Sequence, residues 1–312
     1  DVWSKMGIYE TCLSTAKQST ILDNKLMAPN CMNCHTFPQN NPHKMSLHIR
    51  GANGATALVQ DGSIEMLATK TDKMIGNAQY TYWHSSEKYI AFSTNKTQQG
   101  FHAKDEKRVE VIDLESDVFV YDIVNNEMVS CPQLSSKESF ETFPSFSADG
   151  KTLFFCTAAA RPIPEEYNQI RYNLCSVSFD PVSRTFGNKV DTLVAAEAMG
   201  KSVSFPRPSY DGKYLMFTMS DYGNFSIWHK EADLWLVDLN TGISRSLTEV
   251  NSNDVESYHN WSSNSRWFVF SSRRIDGLYT RPFIANIDSN GKIGKPFLLP
   301  QKDPEEYIRS FY

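Results

Sequence analysis

No apolar run in this chain approaches the roughly 18 residues that carry a helix across a bilayer. No basic tract is present either. Lys and Arg number 31 against 36 Asp and Glu, a net charge of -5 with a sequence pI near 5.8. Nucleic acid and anionic membrane are therefore poor partners, because both need a positive footprint. No secretory leader is visible. The chain begins at Asp1 with DVWSKMGIYETCL, which reads as mid-protein sequence, so a leader, anchor or preceding domain is expected to have been removed. A G-x-S-x-G elbow, an H-E-x-x-H pair and a P-loop are all missing, and the pairs Glu165-Glu166 and Glu305-Glu306 sit in polar loops as solvated carboxylates. Six cysteines in 312 residues are too few for a dense disulfide framework. Cys12, Cys131, Cys156 and Cys175 have no metal-ligand spacing, and Cys156 and Cys175 lie in apolar strand-like runs as plain buried thiols. What the chain does have is 12% aromatic and 40% hydrophobic residues, the composition of a globular protein with a large core.

One short stretch carries chemistry. Cys31-Met32-Asn33-Cys34-His35 reads C-x-x-C-H, the attachment signal of a c-type haem. On one helical turn the two thiols can form thioethers to one porphyrin, and His35 then lies under the iron as proximal ligand. The same residues also read as a Cys31–Cys34 dithiol or disulfide, or as a zinc site made of Cys31, Cys34 and two of His35, His43 and His48. A sixth iron ligand is expected from the following loop or the first clear repeat, in the order His48, His84, His102 and Met45. Covalent haem attachment takes place outside the bacterial cytoplasm, so haem c here implies an exported protein.

Residues 1–30 show a partly helical pattern (Trp3, Met6, Ile8, Tyr9, Cys12, Leu13), with Asn30 as N-cap of a short turn bearing the motif. Residues 36–50 are polar and Pro-rich and read as a loop, and a hairpin is expected near 56–67, turning at Asp61-Gly62. From residue 80 a repeat appears. YTYWHSSEKYIAFS (80–93), FPSFSADGKTLFFC (143–156), FPRPSYDGKYLMFT (205–218) and YHNWSSNSRWFVFS (258–271) align without a gap. Their first column is Tyr80, Phe143, Phe205 and Tyr258, their ninth is basic, and their thirteenth is Phe92, Phe155, Phe217 and Phe270. Asp149-Gly150 and Asp211-Gly212 mark tight turns in one shared slot. Each unit is followed by a second strand pair, and no long amphipathic helix interrupts residues 80–300. The expectation is an all-β chain: a β-propeller of four-stranded antiparallel blades, five or possibly a sixth, over residues 51–312, preceded by a helical or loop segment 1–50 bearing the haem motif. A β-sandwich is the alternative. The C-terminal EEYIRSFY is expected to pair with an early strand and close the ring.

The segments FPSFSADGK and RPSYDGK, each followed by an apolar strand, resemble the TolB-like, WD-type propeller repeat. Together with NCMNCH, LHIRG, NKTQQGFH and HNWSSNSRWFVFSSRRIDGLYTRPF, the chain resembles bacterial envelope TolB-like propeller proteins bearing a c-type cytochrome motif. That resemblance implies a periplasmic or cell-envelope protein and no established reaction. TolB-like propellers act mainly as protein-binding platforms, an analogy at the level of fold.

Four positions in the repeats stand out. His84 replaces the Ser147, Ser209 and Ser262 of its repeat column, as a functional departure or a local packing choice. His259 lies in the column of Thr81, Pro144 and Pro206. Arg273 and Arg274 end a strand, either to bind haem propionates or as a solvated end paired with Asp276. Two functions follow: an electron-transfer or redox-active haem platform that meets a protein partner in the envelope, or a non-redox binding scaffold in which the C-x-x-C-H segment is purely structural. A haem peroxidase is a weaker third.

Overall fold

The structure is a computed structural model and describes residues 7–23, 31–50, 54–72, 74–102, 107 and 109–303. Among the described residues, five four-stranded antiparallel sheets are arranged as propeller blades. Blade 1 is β3 (Cys31–Thr36), β4 (Lys44–Arg50), β5 (Ala55–Gln60) and β6 (Ser63–Leu67). Blade 2 is β7 (Ala78–Trp83), β8 (Tyr89–Phe101), β9 (Val109–Asp122) and β10 (Glu127–Val129). Blade 3 is β11 (Ser139–Phe146), β12 (Thr152–Ala159), β13 (Asn173–Asp180) and β14 (Thr185–Val194). Blade 4 is β15 (Ser202–Pro208), β16 (Tyr214–Ser220), β17 (Asp233–Asp238) and β18 (Ser244–Ser246). Blade 5 is β19 (Glu256–Trp261), β20 (Trp267–Ser272), β21 (Arg281–Asn286) and β22 (Phe297–Leu298). Strands within a blade pair in sequence order, so every connection is a hairpin.

The repeat has a backbone cause. The first strand of each blade carries a bulge, where two residues oppose one on the next strand. At that bulge Cys34, Tyr80, Phe143, Phe205 and Tyr258 take φ of 53, 51, 52, 55 and 49°. A bulky residue rarely adopts positive φ, so its recurrence in all five blades marks a built feature. The rings of this column touch in series, with centroids 4.5 Å apart for Tyr80–Phe143, 4.4 Å for Phe143–Phe205 and 4.6 Å for Phe205–Tyr258. The thirteenth-column residues Phe92, Phe155, Phe217 and Phe270 are all buried, as equivalent core positions require. Blades 1 and 2, 2 and 3, 3 and 4, and 4 and 5 each share an apolar cluster. In a fifth cluster the face of blade 1 bearing Met45, Leu47, Ile49, Ala57 and Val59 packs on Leu22, Ile8 and Ile21 of a two-stranded hairpin, β1 (Gly7–Thr11) and β2 (Gln18–Asp23). That face is turned away from blade 2, because Leu58, on the opposite face of β5, belongs to the blade 1–blade 2 cluster.

Several expectations are corrected. The helical pattern over 1–30 gives two paired strands among its described residues, with Ile8 opposite Leu22 and the β-branched Thr20 and Ile21 in β2. Trp3, Met6 and Asn30 lie outside the described residues. The motif is not on a helical turn, since Cys31–Thr36 is a strand paired with β4. Residues 36–50 are not one loop, because Lys44–Arg50 is a strand. The domain boundary expected at residue 50 therefore falls inside blade 1. The loop placed after the first repeat unit is also a strand for most of its length, since β8 runs to Phe101 opposite Val109. The hairpin over 55–67 forms as expected, and EEYIRSFY lies outside the described residues.

Candidate functional site

The five innermost strands, β3, β7, β11, β15 and β19, surround the propeller axis, and their ends form a vestibule. It is a cavity of about 290 Å³, lined by Phe37 and Gln39 of blade 1, Tyr82, Trp83 and Ser85 of blade 2, Phe146 and Ala148 of blade 3, Pro208 and Tyr210 of blade 4, and Ser263 of blade 5. Every blade contributes because these positions are equivalent in the repeat. The short turn Pro38–Asn40 after β3 crosses the mouth. Asn40 Nδ2 donates to Trp261 O at 2.7 Å, and Tyr210 OH donates to Asn40 Oδ1 at 2.9 Å, so blade 1 is tied to blades 4 and 5. Gln39 Nε2 donates to Ser85 O at 3.0 Å.

Arg207 is half-buried at this end of the channel. Its guanidinium carbon lies 5.5 Å from the centre of the Tyr82 ring. Burial pushes the Tyr82 hydroxyl above the ordinary tyrosine range and that of Tyr210 up to about 12, so both phenols stay neutral. Burial and the nearby Arg207 charge pull His259 down to about 3. Its ring is therefore neutral too, close to the backbone carbonyls of Met216 and Phe205.

The C-x-x-C-H stretch is part of the channel wall. Cys34 occupies the aromatic column and its carbonyl accepts from Thr81 Oγ1 at 3.1 Å. Trp83 Nε1 donates to Thr36 O at 3.3 Å. The His35 ring meets Phe37 edge-on at 5.8 Å, and burial holds its pKa below the ordinary histidine value although part of the ring is exposed. Along an extended strand the step from residue 31 to residue 34 spans about 10 Å, against roughly 5 Å on a helical turn. The turn that would present both thiols to one porphyrin edge is not what β3 provides, and His35 does not line the vestibule. A haem does not fit the strand as folded.

The candidates for a sixth ligand are not brought together. Met45 is buried in the core that blade 1 shares with the β1–β2 hairpin. His48 is 1% exposed, on β4 opposite Asn33. His84 is held by Ser86 Oγ at 2.8 Å and Gly150 O at 3.0 Å, and it packs on Tyr89, Phe146 and Phe179. A Cβ at Gly150 would lie 2.1 Å from His84 Nε2, so His84 and this glycine fit together as a staple between blades 2 and 3. The column departure at His84 is thus a packing choice. His102 ends the long β8–β9 hairpin. Among the described residues no group of three His, Cys, Asp or Glu is placed to hold a metal ion. Arg274 is not solvated: it donates to Glu256 at 2.9 Å and lies over Phe283 at 4.6 Å. Arg273 stacks on Trp228 at 4.2 Å, and Asp276 pairs with Arg281 at 2.7 Å.

A second polar cluster was not legible in the sequence. The β8–β9 hairpin of blade 2 reaches the loop after β16 in blade 4. Glu110 accepts from Tyr222 OH at 2.5 Å and lies 3.2 Å from His229 Nε2. Burial opposes charge on His229, but its bonds to Glu110 and Glu231 outweigh it and raise its pKa. Burial likewise opposes charge on Glu231, yet His229 holds that carboxylate down at about 2. Asp113 is different. Its partners are the amides Asn95, at 2.8 Å, and Asn224, at 2.5 Å, and burial pushes its pKa up to about 7.

A carboxyl raised on folding favours the fold while protonated, so its contribution is full below pH 4 and is lost as pH rises through about 7. Asp113→Asn keeps an oxygen acceptor and removes the charge. Urea melts are expected to show the variant more stable than the parent at pH 8, with the difference gone at pH 4. An equal difference at both pH values would contradict this.

No protein-family model matches the chain, and no curated protein is similar to it in sequence. Solved structures do match. A TolB from Acinetobacter baumannii aligns at a TM-score of 0.53 and 13% identity, over 95% of this chain and 66% of that one. A protein described as a TolB from Agrobacterium tumefaciens aligns at 0.55 and 15%, over 93% and 86%. Oligogalacturonate lyase from Vibrio parahaemolyticus aligns at 0.52 and 10%, over 93% and 70%. The chain spans just under two thirds of the A. baumannii TolB. At these identities the likeness is one of fold: an all-β propeller of the TolB-like kind.

Proposed function

We propose that this protein is an exported binding platform that seats its partner over the channel mouth, with the C-x-x-C-H segment serving as a structural strand. The observation that carries this is the vestibule: five blades converge on one cavity walled by both aromatic rings and serine hydroxyls. Export rests on the resemblance to TolB-like envelope proteins. The second reading is electron transfer through a haem c on Cys31, Cys34 and His35. It is favoured by the intact motif and by the neutral, partly exposed imidazole of His35, and opposed by the extended course of β3.

A photo-crosslinking amino acid placed in the native host tests the platform. At Ser263, on the vestibule rim, it is expected to give a discrete protein adduct in the envelope. At Val182, 90% exposed on the β13–β14 turn, it is expected to give none. Adducts from Val182 alone would overturn the assignment.

A further inference from the structure

Blade 2 carries an arm at the end of the propeller away from the vestibule, since β8 runs from a turn that lines the vestibule. Lys96 pairs with Glu115 and Thr97 with Asp113, so Leu114 is left over as a bulge. β7 ends at Ala78, opposite Thr94. Beyond the bulge Thr97–Phe101 and Val109–Asp113 therefore pair only with each other among the described residues. A two-stranded ribbon is marginal in water by itself. The β8 half of the arm is exposed from Thr97 to Gln99 and again at Phe101, so the β9 half must hold it. Ile112 packs on the cluster of blades 3 and 4. The bonds to blade 4 run through ionisable groups: Asp113 to Asn224, Glu110 to Tyr222 and His229, and Lys107 to Glu231 at 3.2 Å. His229 is 1% exposed and stands 3.2 Å from Glu110 and 3.4 Å from Glu231. With His229 protonated and Asp113 neutral, His229 and Lys107 balance Glu110 and Glu231. Loss of both protons leaves three carboxylates facing Lys107 in a site withdrawn from water. The surrounding groups do not restore the balance. Burial keeps the Tyr222 hydroxyl neutral, Arg171 lies half-buried 5.8 Å from the Tyr222 ring, Lys230 is exposed, and Arg273 and Asp254 of blade 5 offset each other at 3.8 Å.

We propose that this arm is a strap, latched onto blade 4 in mildly acid and neutral solution and released about the Leu114 bulge as the solution turns alkaline. Burial opposes charge on His229, yet Glu110 and Glu231 raise its pKa, so its hold on the arm is lost as pH rises through that raised value. Asp113, pushed by burial up to about 7, loses its contribution in the same direction. Burial opposes charge on Glu231 as well, but His229 holds it at about 2, so that carboxylate gives way only in strong acid. The strap is separate from the vestibule and needs no bound partner.

Hydrogen exchange read by mass spectrometry tests it on the full chain at about pH 6 and about pH 9, with rates corrected for the intrinsic pH dependence of exchange. Protection over Val109–Asp113 is expected to fall about 10-fold or more at the higher pH, because each unit past a shifted pKa moves the opening equilibrium about tenfold. β16, at Tyr214–Ser220 in the core, is expected to hold. His229→Gln should leave the arm poorly protected at both pH values, with a smaller fall than in the parent. Asp113→Asn should keep more of the arm's protection at the higher pH than the parent keeps. Tyr222→Phe removes a hydrogen bond and no charge. It should lower protection at both pH values and preserve the fall between them, which keeps the test decisive if His229→Gln does not fold. Equal protection at both pH values, a fall shared by β16, or a fall of the parent's size in His229→Gln overturns the proposal.

Discussion

Replacing Phe143 by alanine is expected to cost about 3–5 kcal/mol of unfolding free energy, the range for deleting a buried phenylalanine. Phe143 is fully buried in the cluster shared by blades 3 and 4. Its ring touches Tyr80 of blade 2 on one side and Phe205 of blade 4 on the other. Removing it opens a void where three blades meet. The bulge that fixes its position is made by backbone pairing of β11 with β12 on either side of it, so the neighbours cannot collapse freely into the gap. The loss is a large fraction of the 5–15 kcal/mol that folded proteins typically hold. Urea midpoints measure it, with Val182→Ala as a surface control expected within about 0.5 kcal/mol of the parent. A loss at Phe143 no larger than at Val182 would mean that the aromatic column does not hold the ring together.

Much of this architecture was readable in the sequence, for physical reasons. The first column is aromatic because its rings touch in series from blade 2 to blade 5, the thirteenth because each Phe fills a buried core position, and Asp149-Gly150 and Asp211-Gly212 mark turns that need positive φ at glycine. Blade 1 was hidden because its aromatic is replaced by Cys34 and its phenylalanine by Leu47. Its turn is also one residue longer, with Thr36 opposite Ser46 where Tyr82 faces Ala91. The bulge is set by backbone pairing, and that is why a cysteine can stand where the other blades place a ring. The same substitution produced the haem signature in a strand.

The vestibule was partly legible. Arg207 departs from its column as plainly as His84 does from its own, and comparing the columns for charge would have found it. Nothing local marks Glu110 and His229 as partners, since they lie 119 positions apart and meet only because a long hairpin of blade 2 reaches blade 4.

The second large expectation concerns Cys31–Cys34–His35, and it is all or none. As the innermost strand of blade 1, this stretch has its backbone committed to β4 and to Thr81 and Trp83 of blade 2. A porphyrin attached at both thiols needs those positions brought to helical spacing, which would break that pairing and open the channel wall beside the vestibule. The decisive measurement is haem staining of the denatured protein, purified from a host that exports it and attaches haem c. The expected result is no stain, with the propeller folded. A stain that persists through denaturation and vanishes in the Cys31→Ser, Cys34→Ser double variant would contradict the structural role of β3 and establish the redox platform in its place.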